Sequence, residues 1–287
     1  MPSRFIKTTI LSIIWLTSAV AYGSPVKLQS YSGDTSLPHK ILVETLKRAN
    51  LEYIYPYASD KDVSNARILN DVKTGSLDVM WSMTSRQLED DYQALYFPLF
   101  RGMLGMRLAI VKAQNKHLFA GVKTLSDLKA FSAGQGKTWP DTRILEHNGL
   151  TVAKTLKYPN LFYMLEGERF DYFPRGINEP WDEIVRHKEL DLIVEPHIMV
   201  RYRAPLYFFL RKDNVALQQT MITTLNNMVA DGTFEQMFLA DTQVKAALSK
   251  ANVAGRIIID LENPLLTDRT PINRKELWFD PISYTGN

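Results

Sequence analysis

The hydrophobic pattern of this chain switches repeatedly between the two-residue period of strands and the 3.6-residue period of helices. In its first part the predicted elements are strands over 26–31, 51–55 and 77–82, a helix that opens at Pro38, and a helix over 66–74 that Gly75 closes. Strands that alternate with helices are typical of an α/β fold with a mixed, mostly parallel sheet. Ligands of such folds bind at the carboxyl ends of the strands.

The same pattern restarts further along the chain, which predicts a second lobe. A long apolar run over 104–111 is interpreted as the hinge between lobes, and strand and helix periods resume from Thr124. A single hydrophobic core rarely serves a chain of this length, so we expect two lobes. The expected ranges are 24–105 with 206–239 for lobe 1, 106–205 for lobe 2, and 240–287 for a C-terminal extension packed on a lobe.

The first residues have the layout of a secretory signal peptide over 1–23. Arg4 and Lys7 precede an apolar run over 10–16, small residues follow, and the first acidic residue is Asp34. That run is shorter than the roughly 20 apolar residues that span a bilayer. We therefore expect a periplasmic protein with a cleaved signal and, because the chain has no cysteine, no lipid anchor.

Composition excludes several classes of site and partner. The absence of cysteine excludes disulfides, thiolate metal sites and cysteine nucleophiles. Removal of residues 1–23 would leave 32 basic and 31 acidic residues, a balance that gives no field for nucleic acid. The histidines show no metal-binding spacing and no G-x-S-x-G motif occurs. We expect no metal, no cofactor, no catalytic residue and a monomer, with acids such as Glu89 on solvated faces.

The stretch AGQGKTWPD over 133–141 looks like half of a phosphate-binding loop. A P-loop requires a glycine five positions before Gly136, where this chain has Phe131, so the motif does not predict a nucleotide site. The loop joins a predicted strand to a predicted helix, where amides and side chains meet a ligand. The candidate ligand-binding residues here are Gln135, Lys137, Thr138 and Trp139.

Six stretches occur in one order along the chain: GSLDVMWSMTSR (75–86), YFP (96–98), TLSDLKAFSAGQGKTW (124–139), LEGERFDYF (165–173), LYFFLRK (206–212) and LNNMVADGTFEQMF (225–238). In these stretches the chain resembles the family-3 extracellular solute-binding proteins. The resemblance implies a two-lobed fold of the type 2 periplasmic-binding-protein kind, in which the lobes close on a small ligand by hinge motion.

The resemblance also implies ligand-binding residues. Ser82, Thr84 and Arg86 match the signature that grips a ligand carboxylate, although Arg86 is one residue closer to Thr84 than in typical amino-acid binders. Where those binders have an ammonium-binding aspartate, this chain has Gly176, preceded by Arg175. An anionic, sugar-like or aromatic ligand therefore fits better than an ordinary amino acid.

Aromatic residues near the predicted cleft edges offer flat surfaces for stacking. Tyr31, Trp81 and Trp139 are the ligand-binding candidates among them, with Tyr172 and Phe173 nearby. The alternative for each is that the ring fills the core of a lobe.

We expect a periplasmic solute-binding protein that captures a small polar or anionic ligand between two lobes for an ABC-type transporter or a membrane sensor. One alternative is a periplasmic enzyme of the lyase or dehydratase type on the same scaffold. Another is a partner-docking role for the proline-marked tail, whose residues 277–279 are otherwise expected to anchor it to a lobe.

Overall fold

The computed structural model describes residues 24–57, 63–281, 283 and 284, so the expected signal peptide lies outside the described residues. Its strands are β1 Val26–Lys27, β2 Tyr53–Ile54, β3 Val79–Met83, β4 Gln93–Leu95, β5 Met106–Lys112, β6 Ser132–Gly136, β7 Thr151–Thr155, β8 Phe173–Gly176, β9 Leu192–Val194, β10 Ile198–Arg201, β11 Leu206–Leu210 and β12 Ile257–Asp260.

The helices follow the same α/β order. They are α1 Leu37–Arg48, α2 Asn65–Thr74, α3 Arg86–Asp91, α4 Leu125–Leu128, α5 Pro140–His147, α6 Asn160–Glu166, α7 Pro180–Arg186, α8 Val215–Ala230, α9 Thr233–Ala240 and α10 Thr242–Ala251. Short 3-10 turns occur at Met103–Gly105, Ala113–Asn115, Val253–Gly255 and Lys275–Leu277. In the part of the chain that the structure describes, no helix is long and apolar enough to cross a bilayer.

One group of strands, which we call lobe 1 together with its helices, contains β1 to β4 and β11. β1 pairs with β2 in parallel, and a bridge between Leu28 and Val79 links β1 to β3. β11 lies antiparallel between β3 and β4. Helices α1, α8 and α9 contact one another beside these strands.

A second group of strands, which we call lobe 2 together with α4 to α7, is built around β5. β8, β9 and β10 all pair with β5 in the antiparallel sense, and β10 also pairs with β12 in parallel. β6 and β7 form a parallel pair that a bridge between Ala133 and Tyr172 joins to the start of β8.

The strand directions refine the expected sheet. Parallel pairing holds within the strand–helix–strand units β1–α1–β2 and β6–α5–β7. Antiparallel pairing is commoner than the sequence pattern suggested, because β8, β9 and β10 all pair with β5 in this sense and β11 lies antiparallel between β3 and β4, so the expectation of mostly parallel sheets is corrected. The sheets are therefore mixed, and the mixed α/β class is confirmed.

The C-terminal extension contributes to the core. Leu277, Trp278 and Phe279, the expected anchor of the tail, are buried in the cluster that also contains the apolar faces of α1, α8 and α9. The Phe279 amide donates to the carbonyl of Arg101, with 2.7 Å between nitrogen and oxygen. The same cluster reaches Met199 of β10, so the extension packs beyond the strands of lobe 1.

Candidate functional site

The carboxyl ends of β1 and β3 lie side by side at one edge of lobe 1. The Gln29 amide donates to the Val79 carbonyl (3.0 Å), and the Gln29 side-chain oxygen accepts from the Trp81 amide (2.9 Å). The half-buried Trp81 ring meets Phe208 edge to face, with 6.4 Å between the centroids. Tyr31 follows β1 and is partly exposed at this edge, so the structure brings Tyr31 and Trp81 to the same edge.

The residues of the carboxylate signature follow at the end of β3. Ser82 pairs with Tyr207 in the strand ladder and is partly exposed. The Thr84 hydroxyl donates to Glu89 (2.6 Å). Arg86 is exposed at the start of α3, and its Nη2 donates to the carbonyl of Leu266 (2.7 Å) in the C-terminal extension.

Glu89 is buried, which corrects the expectation of a solvated carboxylate. Its oxygens accept hydrogen bonds from the hydroxyls of Thr84 (2.6 Å), Tyr96 (3.0 Å) and Thr267 (2.6 Å). Burial and the nearby Glu89 charge raise the pKa of Tyr96 to about 12. Three hydroxyl donors offset part of the cost of burying the carboxylate. Thr84 and Tyr96 are only 5 and 7 residues from Glu89, but Thr267 is 178 residues away, so the sequence pattern does not reveal the complete set.

The loop after β6 presents fewer free groups than its sequence suggests. Lys137 and Thr138 have exposed side chains, but the Lys137 amide already donates to Thr155 (2.8 Å). Gln135 is buried, and its Nε2 lies 3.4 Å from the Pro174 carbonyl. Its side-chain oxygen has no protein partner among the described residues. That oxygen is a buried hydrogen-bond acceptor on β6 of lobe 2.

Arg175 is buried inside an aromatic enclosure. The rings of Trp139, Phe173 and Tyr158 lie 5.1, 4.9 and 5.4 Å from its guanidinium carbon. Its Nε and Nη2 donate to the Glu183 carboxylate at 2.6 to 2.9 Å. Burial by itself lowers the pKa of Arg175, but the hydrogen bonds to Glu183 together with the charges of Glu179 and Glu183 outweigh it and the pKa is raised. Direct anion binding by Arg175 would require this pair to break.

Of the aromatic residues expected near the cleft, Tyr172 and Phe173 are fully buried in the core of lobe 2. Both belong to clusters of apolar side chains, because the start of β8 lies beside β5 and is bridged to β6. Trp139 is half-buried and lies parallel to Phe173 at a centroid distance of 6.3 Å. Trp139 therefore has one packed face and one edge near solvent.

A second buried arginine, Arg107, forms a network that sequence reasoning missed. Its Nη2 lies 2.6 Å from Asp141 of α5, and its guanidinium carbon lies 5.5 Å from the Tyr202 ring centroid. The Tyr202 hydroxyl donates to the same Asp141 carboxylate. Burial raises the pKa of Tyr202 well above its ordinary value, so this phenol remains a neutral donor. The one available signal was a charged residue inside the apolar run over 104–111.

Glu179 occupies the space beside Gly176. A Cβ atom at position 176 would lie 2.9 Å from Glu179 Oε2, and that oxygen accepts from the Gly176 amide (2.6 Å). Glu179 also lies 3.2 Å from Arg175 and 3.7 Å from Arg107. Its side chain is 37% exposed. A carboxylate therefore stands where the sequence suggested that an acidic group was missing.

Neither a family model nor a curated protein matches this sequence. Solved structures do match its fold. YckB from Bacillus subtilis is 18% identical, with 82% of this chain and 96% of that chain covered and a TM-score of 0.50. The GluR0 ligand-binding core in complex with L-glutamate is 14% identical, with coverages of 76% and 98% and a TM-score of 0.52. A His/Glu/Gln/Arg/opine family-binding protein from Silicibacter pomeroyi, in complex with lysine, is 12% identical, with coverages of 76% and 97% and a TM-score of 0.49.

This chain has a two-lobed α/β fold, which it shares with the GluR0 ligand-binding core and YckB. The candidate residues fall into one group at each lobe. The lobe 1 group lies after β1 and along and after β3, and it contains Tyr31, Trp81, Ser82, Thr84 and Arg86. The lobe 2 group lies at the ends of β6 and β8, and it contains Gln135, Lys137, Thr138, Trp139 and Arg175. Both groups are at carboxyl ends of strands, where ligands of α/β proteins bind.

Proposed function

We propose that this protein captures a small polar or anionic solute between its two lobes. The observation that carries the proposal is the pair of polar strand edges on a two-lobed fold. Lobe 1 offers the Ser82 hydroxyl, the half-buried Trp81 ring and the exposed Arg86, and lobe 2 offers the exposed Lys137 and Thr138. A solute that contacts both edges favours the closed arrangement of the lobes through its differential affinity.

The partner of such a protein is a membrane permease of the ABC type or a membrane sensor, and its location is the periplasm. The fold supports this proposal because it is the fold of the GluR0 ligand-binding core and of YckB. The proposed mechanism is reversible binding without chemical change of the solute, and a monomer suffices for it.

The buried charges bear on the class of solute. Two free arginines in the cleft would favour a solute with two acidic groups. Arg175 is paired with Glu183, so only one of the two candidate arginines, Arg86, supports such a solute. Glu179 adds a partly exposed carboxylate near Gly176, which accepts hydrogen bonds from N–H or O–H donors. We therefore propose a solute with an acceptor or carboxylate toward Arg86 and a donor toward Glu179. Amino acids return to the set of candidates on this ground, since GluR0 holds L-glutamate in its complex.

A thermal-shift screen of the mature protein tests this function. The panel contains amino acids, organic acids, sugars and nucleosides, and mass spectrometry follows the fate of each compound that raises the melting temperature. A bound compound recovered unchanged supports the proposal. Consumption of the compound would favour the lyase alternative, and no stabilising compound in any class would contradict a solute-binding role.

Two pairs of variants assign the contacts. Glu179→Gln should weaken binding of a hit that carries a cationic donor, because the neutral amide loses the charge attraction, whereas the exposed Glu189→Gln should not. Arg86→Gln should weaken a carboxylate hit, and Arg143→Gln on the exposed face of α5 is its control. Equal affinities for each variant and its control would remove these two residues from the site.

A further inference from the structure

The C-terminal extension contacts both lobes. Asp241, which caps α10, forms an ion pair with Lys40 of α1 in lobe 1 (2.9 Å). At the other end of α10, Lys250 Nζ lies 5.8 Å from the centroid of the Trp181 ring in α7 of lobe 2. The helix therefore lies against elements of the two lobes at once.

The segment that follows β12 repeats this bridging, and we call residues 261–270 the latch. At the lobe 2 end, the Glu262 amide donates to Asn148 Oδ1 (3.0 Å) and Asn148 Nδ2 donates to the Glu262 carbonyl (2.8 Å). Asn263 Nδ2 donates to the carbonyl of Arg203 (2.7 Å). These bonds attach the start of the latch to the end of α5 and to the chain between β10 and β11.

The end of the latch is attached to lobe 1. Arg86 Nη2 donates to the Leu266 carbonyl (2.7 Å), and the Thr267 hydroxyl donates to Glu89 (2.6 Å). Glu89 also holds the Thr84 hydroxyl. The latch is thus bonded directly to Arg86, and through Glu89 to Thr84, which are two residues that the proposed function assigns to the solute.

Hinge movement changes the distance between α3 of lobe 1 and α5 of lobe 2. Because the latch is hydrogen-bonded to both helices, the lobes cannot separate far unless one end is released. We propose that the latch is an intramolecular gate: it restrains the angle between the lobes and occupies Arg86, so that Arg86 becomes available to a solute when the latch is released. The proposal rests on the proposed function in taking Arg86 as a ligand residue.

The test measures lobe position and Arg86 availability without any solute, so its failure is distinguishable from failure of the proposed function. Because the chain has no cysteine, spin labels can be attached at Asn70→Cys in α2 and Ser126→Cys in α4, both exposed. Pulsed electron resonance then reports the distance between the lobes. Phenylglyoxal modification, followed by peptide mass spectrometry, reports Arg86 availability relative to the exposed Arg143.

The double variant Asn148→Ala, Thr267→Val removes both Asn148 side-chain bonds at one end of the latch and the Thr267 bond at the other. We expect a longer and broader inter-lobe distance distribution and about tenfold faster modification of Arg86, as follows from loss of one hydrogen bond by a charged donor. The control Asn160→Ala, Thr151→Val changes exposed residues of lobe 2 and should alter neither quantity.

An unchanged distance would overturn the claim that the latch restrains the lobes, and an unchanged Arg86 rate would overturn the claim that it occupies Arg86. If the double variant does not fold, an insertion of Gly-Ser-Gly-Ser between Asn263 and Pro264 keeps every side chain and lengthens the latch. The same insertion after Gly121, an exposed loop position, is its control. The two expected changes and the two overturning results are the same for the insertion.

Discussion

At the scale of single residues, a buried arginine and a buried glutamate of lobe 2 form an ion pair. Arg175 and Glu183 have side-chain exposures of only 9% and 3%, and Tyr158 donates to the same carboxylate (2.6 Å). A carboxylate and a guanidinium are held in an apolar setting only when each satisfies the other. The aromatic enclosure around Arg175 therefore depends on this ion pair, because water solvates neither charge extensively.

Replacement of Glu183 should destabilise the protein strongly. In Glu183→Gln the Arg175 charge stays buried without its counter-charge, and we expect a loss of about 3 kcal/mol in the free energy of unfolding. Urea denaturation of the two proteins measures the difference. The exposed Glu189→Gln should leave the free energy of unfolding almost unchanged. Equal losses for both variants would contradict the buried-pair account.

Glu195 makes stability depend on pH. Burial raises its pKa above the unfolded value near 4.5, and backbone donors at His197 and Ile198 only partly oppose this. Because the folded state binds the proton more tightly, the Glu195 contribution is most favourable below the unfolded pKa and is lost as pH rises through the folded pKa.

We therefore expect the stability of the wild type, relative to Glu195→Gln, to fall as pH rises above about 4.5 and then to level off. Thermal unfolding of both proteins across this range gives the difference curve. The exposed Glu52→Gln should show no such slope relative to the wild type. A difference curve that rises with pH would show that the sign of the shift is wrong.

At the scale of elements, the junction between β6 and α5 explains the half P-loop sequence. Gly136 is needed because a Cβ atom there would lie 2.5 Å from the Trp139 ring. The Thr142 hydroxyl donates to the Gly136 carbonyl (2.7 Å), which fixes the start of α5 against the strand. The glycine thus makes room for an indole ring.

Gly136→Ala should displace Trp139 from its stack on Phe173. We expect a loss of about 1–3 kcal/mol from overpacking and a changed near-ultraviolet circular dichroism spectrum. Gly121→Ala is the control, since a Cβ atom there meets nothing within 4 Å. A spectrum unchanged by Gly136→Ala would mean that the Trp139 ring does not pack against this glycine.

Elements with a local signal were predictable from the sequence. The helix expected over 66–74 is Asn65–Thr74, and the one that opens at Pro38 is Leu37–Arg48. The strand expected over 26–31 pairs with β2 only at Val26–Lys27. Further along, the Gln29 amide donates to the Val79 carbonyl of β3. A local pattern does not specify which neighbour a strand chooses.

Candidate site residues could be proposed from the sequence only where one segment carries them. Ser82, Thr84 and Arg86 lie within five residues of the chain, so a motif indicates them, and their role stays a prediction. Arg107 and Asp141 come from β5 and α5, and only the folded arrangement joins them. The position of Glu179 beside Gly176 likewise depends on the turn between β8 and α7.

At the scale of the whole molecule, the C-terminal extension packs against both lobes and shares a hydrophobic core with them. Buried residues of the extension, including Val244 and Trp278, belong to the same cluster as Ile177 and Met199 of the second lobe's region. A core that is continuous in this way transmits a hinge movement of the lobes to the extension. We expect solute binding to change the latch as well as the strand edges.

Hydrogen–deuterium exchange of the mature protein, with and without the stabilising compound from the screen, tests the central claim most directly. A solute held between the lobes should slow exchange at both strand edges, over 81–86 and over 135–139. Protection confined to one of these two edges would contradict capture between the two lobes.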